Sequence, residues 1–291
     1  MHKYVYLMAV PVIAFYVIFH YMPMYGAIIA FKNFRPGLGI WGSPWVGLTH
    51  FESFFSGVFF GRLIRNTLTI NFYALILGFP APIILALLLN EVRHSVFKRA
   101  VQTISYLPYF ISVVVVCGMI MDFFSGDGLV NYIITAFGGD RVRFLARPEY
   151  FRSIFVGSGI WQGVGWGSII YLAAISGIDA ELYEAAVIDG AGRWKQILHV
   201  TLPGLSTTII ILLILRFGEM MTIGYEKIIL LYNPSTYETA DVISSYVYRR
   251  GLLKADYSFS TAVGLFNSAV NLVLLYAANT ISRKVNDTSL W

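Results

Sequence analysis

The chain has 291 residues, of which 57% are hydrophobic and only 13% charged, and its mean hydropathy is +0.67. A soluble domain carries about 25% charged residues, so this composition excludes an ordinary water-soluble enzyme or binding module. The net charge of +5 is spread along the chain with no basic tract interleaved with aromatics, which argues against nucleic acid and for contact with membrane lipid headgroups.

In lipid the backbone must satisfy its own polar groups, which leaves helices or a closed barrel. The apolar runs are long and show no sustained alternation, so the expected fold class is an all-α membrane protein with six transmembrane helices in a single domain, 1–291. The first expected span, 4–31, has no formal charge and follows a short lead, Met1-His2-Lys3; Pro11 and Pro23 are expected to kink it or trim its ends. Between Lys32 and Arg65, glycines and prolines make a loop, Trp41 and Trp45 suit a membrane interface, and Phe51, Phe54, Phe55 and Phe59 lie at helical spacing.

The second span is expected over 66–90, interrupted by Pro80 and Pro82, and the third over 100–121, containing Pro108. A basic loop, Arg93 to Arg99, separates them. The fourth is expected over 153–178, the fifth over 202–232 with Arg216 and Glu219 inside it, and the sixth over 257–282. Six spans put both termini, the basic loop and the tail from Asn286 to Trp291 on one side, the cytosol by the positive-inside rule. Arg141, Arg143, Arg147, Arg249 and Arg250 fall on the other side and keep the rule from being clean. The lone Cys117 forms no intrachain disulfide, and the five histidines have no metal-site spacing.

The polar insert 179–201 separates the fourth and fifth spans. Asp179 or Ser176 can cap a helix there, and Ala180 to Ile188 are strong helix formers. Gly190 suits a left-handed stop, Arg193 to Val200 can form a second short helix, and Pro203 fits the first turn of the fifth span. By itself the insert reads as a loop helix lying on its own bundle or as a docking surface for another protein.

Glu184-Ala185-Ala186, then Asp189-Gly190-Ala191, then Leu202-Pro203 resembles the EAA loop of ABC importer permeases. Val200 replaces that family's usual isoleucine, and the usual aromatic of the second helix is displaced, with Trp194 and Ile197 nearby. Further stretches resemble the carbohydrate branch of those permeases: Gly47-Leu48-Thr49-His50-Phe51, Arg65-Asn66-Thr67, Tyr106-Leu107-Pro108, Gly128-Leu129-Val130-Asn131 and Tyr237-Glu238-Thr239-Ala240-Asp241. The resemblance implies a subunit of an ATP-driven importer of oligosaccharides, including acidic ones, in the bacterial cytoplasmic membrane. It implies three kinds of protein neighbour beside the lipid: a second, related but different permease, two ATP-binding subunits and an extracytoplasmic solute-binding protein. Glu184, Ala185, Ala186, Asp189, Gly190 and Pro203 would form the coupling loop to the motor.

No segment has the glycine-rich P-loop pattern, so ATP and Mg are expected on the partner subunits, with no cofactor and no catalytic residue in this chain. Charges at membrane depth cost about 2.5–3.5 kcal/mol each and face an interior or a wet cavity. Arg216 and Glu219, at i and i+3, read either as a self-neutralised packing pair or as groups lining the substrate path. Trp161, Gln162 and Trp166 surround a stripe of Gly159, Gly163 and Gly167; they suit sugar rings and hydroxyls, or lipid and helix packing. Asn267 and Asn271 share a helix face, and with Asn71 and Tyr109 they complete the pathway candidates, with interhelical hydrogen bonding as the alternative. A secondary transporter or channel driven by an ion gradient, with Arg216 and Glu219 as relay groups, is the rival reading.

Overall fold

The computed structural model describes residues 3–286 and 288–291; Met1 and His2 of the expected lead and Asp287 of the expected tail lie outside them. The named elements of the described residues are all helices, with an isolated antiparallel bridge between Lys32 and Trp45 and no named strand. The principal helices are α1 (Tyr6–Phe31), α2 (Phe60–Glu91), α3 (Ser95–Phe110), α4 (Val113–Phe123), α5 (Pro148–Ser176), α6 (Ala180–Ile188), α7 (Arg193–Phe217), α8 (Tyr225–Leu231) and α9 (Tyr257–Lys284). Four of these, α1, α2, α7 and α9, are each long and apolar enough to cross a membrane. The number rises to six if the bent pairs α3–α4 and α5–α6 each count as one span.

Three of the prolines expected to interrupt or start helices do neither. Pro23, Pro80 and Pro203 each follow a π-helical turn, at Val17–Tyr21, Ala74–Gly78 and Ile197–Thr201. In each case the residue just before the proline bonds five residues back: Met22 to Val17, Phe79 to Ala74 and Leu202 to Ile197. A proline ring clashes with the carbonyl four residues earlier. Here that carbonyl, of Phe19, Ile76 or His199, lies in the widened turn, so the helix passes the proline unbroken. The fifth span therefore does not begin at Leu202. Its helix starts at Arg193 and runs 25 residues to Phe217.

The expected third span is broken. Helices α3 and α4 meet at 102°. Pro108 sits in a 3₁₀ turn at the end of α3, and the Ser112 hydroxyl accepts from the Val115 N–H to start α4 afresh. The expected fifth span is broken too, between Phe217 and Tyr225, where α7 ends and α8 begins.

The chain falls into two compact units. One comprises the chain up to Gly61 together with Ile243–Ala269; the other comprises Arg62–Val242 and the chain from Val270. In the first, Phe54 is buried in an aromatic cluster with Phe60, Phe259 and Phe266. The helix expected from the phenylalanine spacing covers Phe51, Phe54 and Phe55 but ends there, and Phe59 lies in the turn before α2. The Lys32 ammonium there donates to the Ile40 carbonyl at 2.8 Å, and the Phe34 N–H donates to the Ser258 hydroxyl at 2.9 Å. Helix α1 buries none of its most apolar window, and its Tyr6, Phe15, Phe19 and Met22 are exposed, a surface for lipid or another membrane protein.

The second unit is organised around α5, 29 residues long and so roughly 43 Å at 1.5 Å per residue. A Cβ on Gly165 would overlap the Ser105 carbonyl oxygen, and one on Gly167 would lie 3.1 Å from Pro82 Cβ. Small residues thus bring α5 against α3 and α2. A polar knot ties α2, α5 and the segment before Val242. The Asn66 amide donates to the Glu238 and Asp241 carbonyls at 2.9 Å and accepts from Arg152 at 2.9 Å. Arg62 pairs at 3.0 Å with the fully buried Asp241 carboxylate.

Candidate functional site

Within the second unit a cavity of about 600 Å³ lies along α5. Ala74, Gly78 and Pro82 of α2 form one wall, and Leu212, Leu215 and Arg216 of α7 another. Gly159, Gly163 and Gly167 of α5 face it. The glycines of α5 therefore divide their work: Gly163 of the stripe has nothing within 4 Å of an added Cβ and leaves space, while the close helix packing falls to Gly167 and to Gly165, which lies outside the stripe. Non-helical backbone at membrane depth is tolerated where protein or a cavity surrounds it. Both helix breaks are provided for in this way. Gln162, which lines the cavity, donates to the Ile111 carbonyl at the α3–α4 break at 3.0 Å.

The second break is held by two asparagines. Asn71 Nδ2 donates to the Met220 carbonyl at 2.9 Å and the Thr222 carbonyl at 3.3 Å. Asn271 Oδ1 accepts from the Met221 N–H, and its Nδ2 donates to the Thr222 hydroxyl, both at 2.9 Å. Arg216 stands at the cavity edge, donating to Asn71 Oδ1 at 3.3 Å and pairing with Glu219 at 3.6 Å.

Of the pathway candidates, Arg216, Glu219 and Gln162 line the cavity. Asn71, Asn271, Tyr109, Trp161 and Trp166 do not. Asn71 and Asn271 are consumed by the freed backbone of the break, a demand that residue spacing does not reveal. Tyr109 and Trp166 stack on each other at 4.7 Å and 6°, so each ring already covers a face of the other. Asn267 belongs to the first unit, where its Oδ1 is buried with no partner among the described residues.

One charged group of the cavity is absent from the sequence candidates. Lys227 of α8 lines it, donating to the Phe155 carbonyl at 3.1 Å with its ammonium 4.8 Å from the Phe155 ring centre. Beside Glu226 in the sequence it resembles an interfacial residue. Only the break that turns α8 back onto α4 and α5 brings it inside.

The insert forms a second candidate site. Asp179 caps α6, accepting from the Glu181 N–H at 3.0 Å, and Ser176 instead donates to its own helix. Gly190 has φ +74°, the left-handed conformation its position suggested. Glu184, Ala185, Asp189 and Gly190 are exposed and Ala186 is half-buried. Leu182, Val187 and Ile188 of α6 and Trp194 at the start of α7 are exposed as well, an apolar surface flanked by acids. Tyr183 turns the other way: its hydroxyl lies 3.0 Å from that of Thr201, which is buried in the π-turn of α7. Gln196 adds a bond to the Ala191 carbonyl at 2.9 Å. Helix α6 is thereby braced to α7 as well as joined to it by chain.

Residues 78–287, which contain both the cavity walls on α5 and α7 and the braced insert, match the model of the binding-protein-dependent transport system inner membrane component. The chain belongs to this family. It is a multi-pass inner-membrane permease component of an ABC transporter, and the family is not one of enzymes. This permease is 44% identical to protein LplB of Bacillus subtilis (strain 168) over 290 residues, 99% of this chain and 91% of that one. It is also 44% identical to the polygalacturonan/rhamnogalacturonan transport system permease protein YteP of the same organism, over 99% of this chain and 90% of that one. Among solved structures, it superposes on a chain of a bacterial ABC transporter involved in the import of the acidic polysaccharide alginate. That match has a TM-score of 0.90 and 47% identity, covering 98% of this permease and 96% of that chain. A second structure of such a transporter, in complex with an alginate pentasaccharide-bound periplasmic protein, gives a TM-score of 0.91 at 46% identity, covering 99% and 97%.

Proposed function

We propose that this permease carries acidic oligosaccharides into the cytoplasm as one half of the membrane channel of an ATP-driven importer. The observation that carries the reading is the near-complete agreement, at 47% identity, with a permease chain of an alginate importer. The polygalacturonan relative supports an acidic sugar independently. The cavity beside the helix breaks is the substrate path, and the described residues that line it include two cations, Arg216 and Lys227, against one carboxylate, Glu219.

The insert is the motor attachment. ATP and Mg belong to two separate ATP-binding subunits, and a second permease and an extracytoplasmic solute-binding protein complete the complex. Glu184 anchors α6 in a cleft of the motor subunit, Ala185 and Ala186 allow close approach, and Asp189 with Gly190 sets the bend. Closure of the motor moves α6, and the brace to α7 passes the motion to the cavity wall, turning the cavity outward to receive sugar. In this arrangement α5 crosses the membrane alone, α6 lies in the cytosol, and both termini are cytosolic.

The test is uptake of labelled oligogalacturonate by proteoliposomes holding the complete complex. Uptake that requires ATP, and is lost with Glu184→Ala or Gly190→Val, is the expected result. Uptake that proceeds without ATP and follows an imposed proton or sodium gradient would instead establish the ion-coupled transporter.

A further inference from the structure

We infer that Lys227, rather than Arg216, is the residue of this cavity that receives the carboxylate of an acidic sugar. The inference rests on the reading of the cavity as the substrate path and adds the group that recognises the charge. The two cations differ in what already satisfies them. Arg216 has a carboxylate, Glu219, at 3.6 Å and an amide oxygen, Asn71, at 3.3 Å. Lys227 has a main-chain carbonyl and an aromatic face and no acidic partner among the described residues. An ammonium has three donors and its charge is stabilised most by an anion. Neutral groups hold this one in place and leave its charge uncompensated.

The surroundings keep the ammonium both fixed and reachable. Ile228 and Leu231, on the same short helix, are buried in the core with Val116, Cys117 and Ile120, so α8 is anchored. The carbonyl of Phe155 then orients Nζ from below. On the cavity side Gly159 faces it, and a Cβ there would come within 3.7 Å of Nζ. Glycine at 159 therefore keeps the space next to the ammonium open, where a larger side chain would fill it. A neutral sugar gains little from an unpaired ammonium; a uronate carboxylate forms a charge-assisted hydrogen bond with it. The cavity thus favours acidic over neutral sugars through one residue.

The experiment compares the wild type, Lys227→Arg and Lys227→Gln in the complete complex, reading ATP-dependent uptake of an oligogalacturonate and of its methyl ester. Lys227→Arg should stay within about twofold of the wild type, and Lys227→Gln should lose roughly tenfold or more on the acid, with a raised KM, and little on the ester. Equal uptake of the acid by Lys227→Gln and the wild type overturns the inference. So does a loss shared by Lys227→Arg and Lys227→Gln, which would mark a packing role. A wild type that takes up the ester but not the acid also overturns it while leaving the importer standing, whereas a wild type with no ATP-dependent uptake defeats the importer reading itself. A second measurement needs no variant: the acid, and not the ester, should protect Lys227 of the wild-type complex from amine acetylation, read by mass spectrometry. Equal modification with and without the acid counts against the inference.

Discussion

The hydroxyls of Tyr183 and Thr201 stand 3.0 Å apart, one on the exposed helix α6 and the other buried in the π-turn of α7. They join the element proposed to meet the motor to the helix that forms a cavity wall. Without this bond the two helices are connected by the bend at Gly190 and by Gln196 holding the Ala191 carbonyl. Tyr183→Phe keeps the ring and removes the bond. A neutral hydrogen bond is worth about 0.5–1.5 kcal/mol, so sugar uptake per ATP hydrolysed should fall roughly two- to tenfold with the complex intact. The measurement is the ratio of transport to ATPase rate in proteoliposomes, and an unchanged ratio would show that the brace carries no motion.

Gly190 separates strain from contact. Its φ is +74°, and nothing lies within 4 Å of an added Cβ. Only the backbone conformation opposes substitution, at about 1–2 kcal/mol for most side chains and less for asparagine. Gly190→Asn should therefore transport nearly normally, while Gly190→Val should lose most uptake and shed ATP-binding subunits during purification. Matching behaviour of the two variants would show that the left-handed bend is not what the position supplies.

Gly165 and Gly163 lie two residues apart on α5 and should respond in opposite ways. A Cβ on Gly165 would overlap the Ser105 carbonyl oxygen, and one on Gly163 meets nothing within 4 Å. Overpacking of this kind costs typically about 1–3 kcal/mol. Gly165→Ala should lower the thermal stability of the purified complex by several degrees, whereas Gly163→Ala should leave it unchanged and slow uptake by narrowing the cavity. Melting curves and uptake rates on the two variants test the division.

The Arg62–Asp241 pair predicts a further effect on stability. The Asp241 side chain is fully buried, its partner partly exposed. Removing the buried carboxylate from such a pair is destabilising, by up to about 3–5 kcal/mol. Asp241→Ala should reduce the yield of folded permease sharply, and Asp241→Asn, which keeps hydrogen-bonding capacity, should reduce it less. Fluorescence-detected size exclusion of the two variants measures the difference.

How far the site was legible in the sequence follows from what each residue's role depends on. Asp179 and Gly190 act on their nearest neighbours along the chain, and their cap and left-handed turn match the expectation from spacing. Asn71 and Asn271 act on backbone groups about 150 and 50 residues away. Spacing along a helix shows a polar group in an apolar setting and not which orphaned carbonyl or N–H it serves. Lys227 was hidden for the converse reason, since a charge near the end of an apolar run has the same local appearance whether it faces headgroups or a cavity.

The sequence by itself determined the all-α membrane class, the first, second and sixth apolar helices to within a few residues, the insert between α5 and α7 and the motif that places the chain among importer permeases. These follow from local quantities: apolar length against bilayer thickness, capping, and residue spacing. Tertiary structure decided that Pro23, Pro80 and Pro203 pass through continuous helices, that the third and fifth spans break, and which polar groups face the cavity. A π-turn, a break and an open cation each depend on what lies across the helix. Backbone groups freed at a break must find partners wherever the fold supplies them, and those partners are distant in sequence.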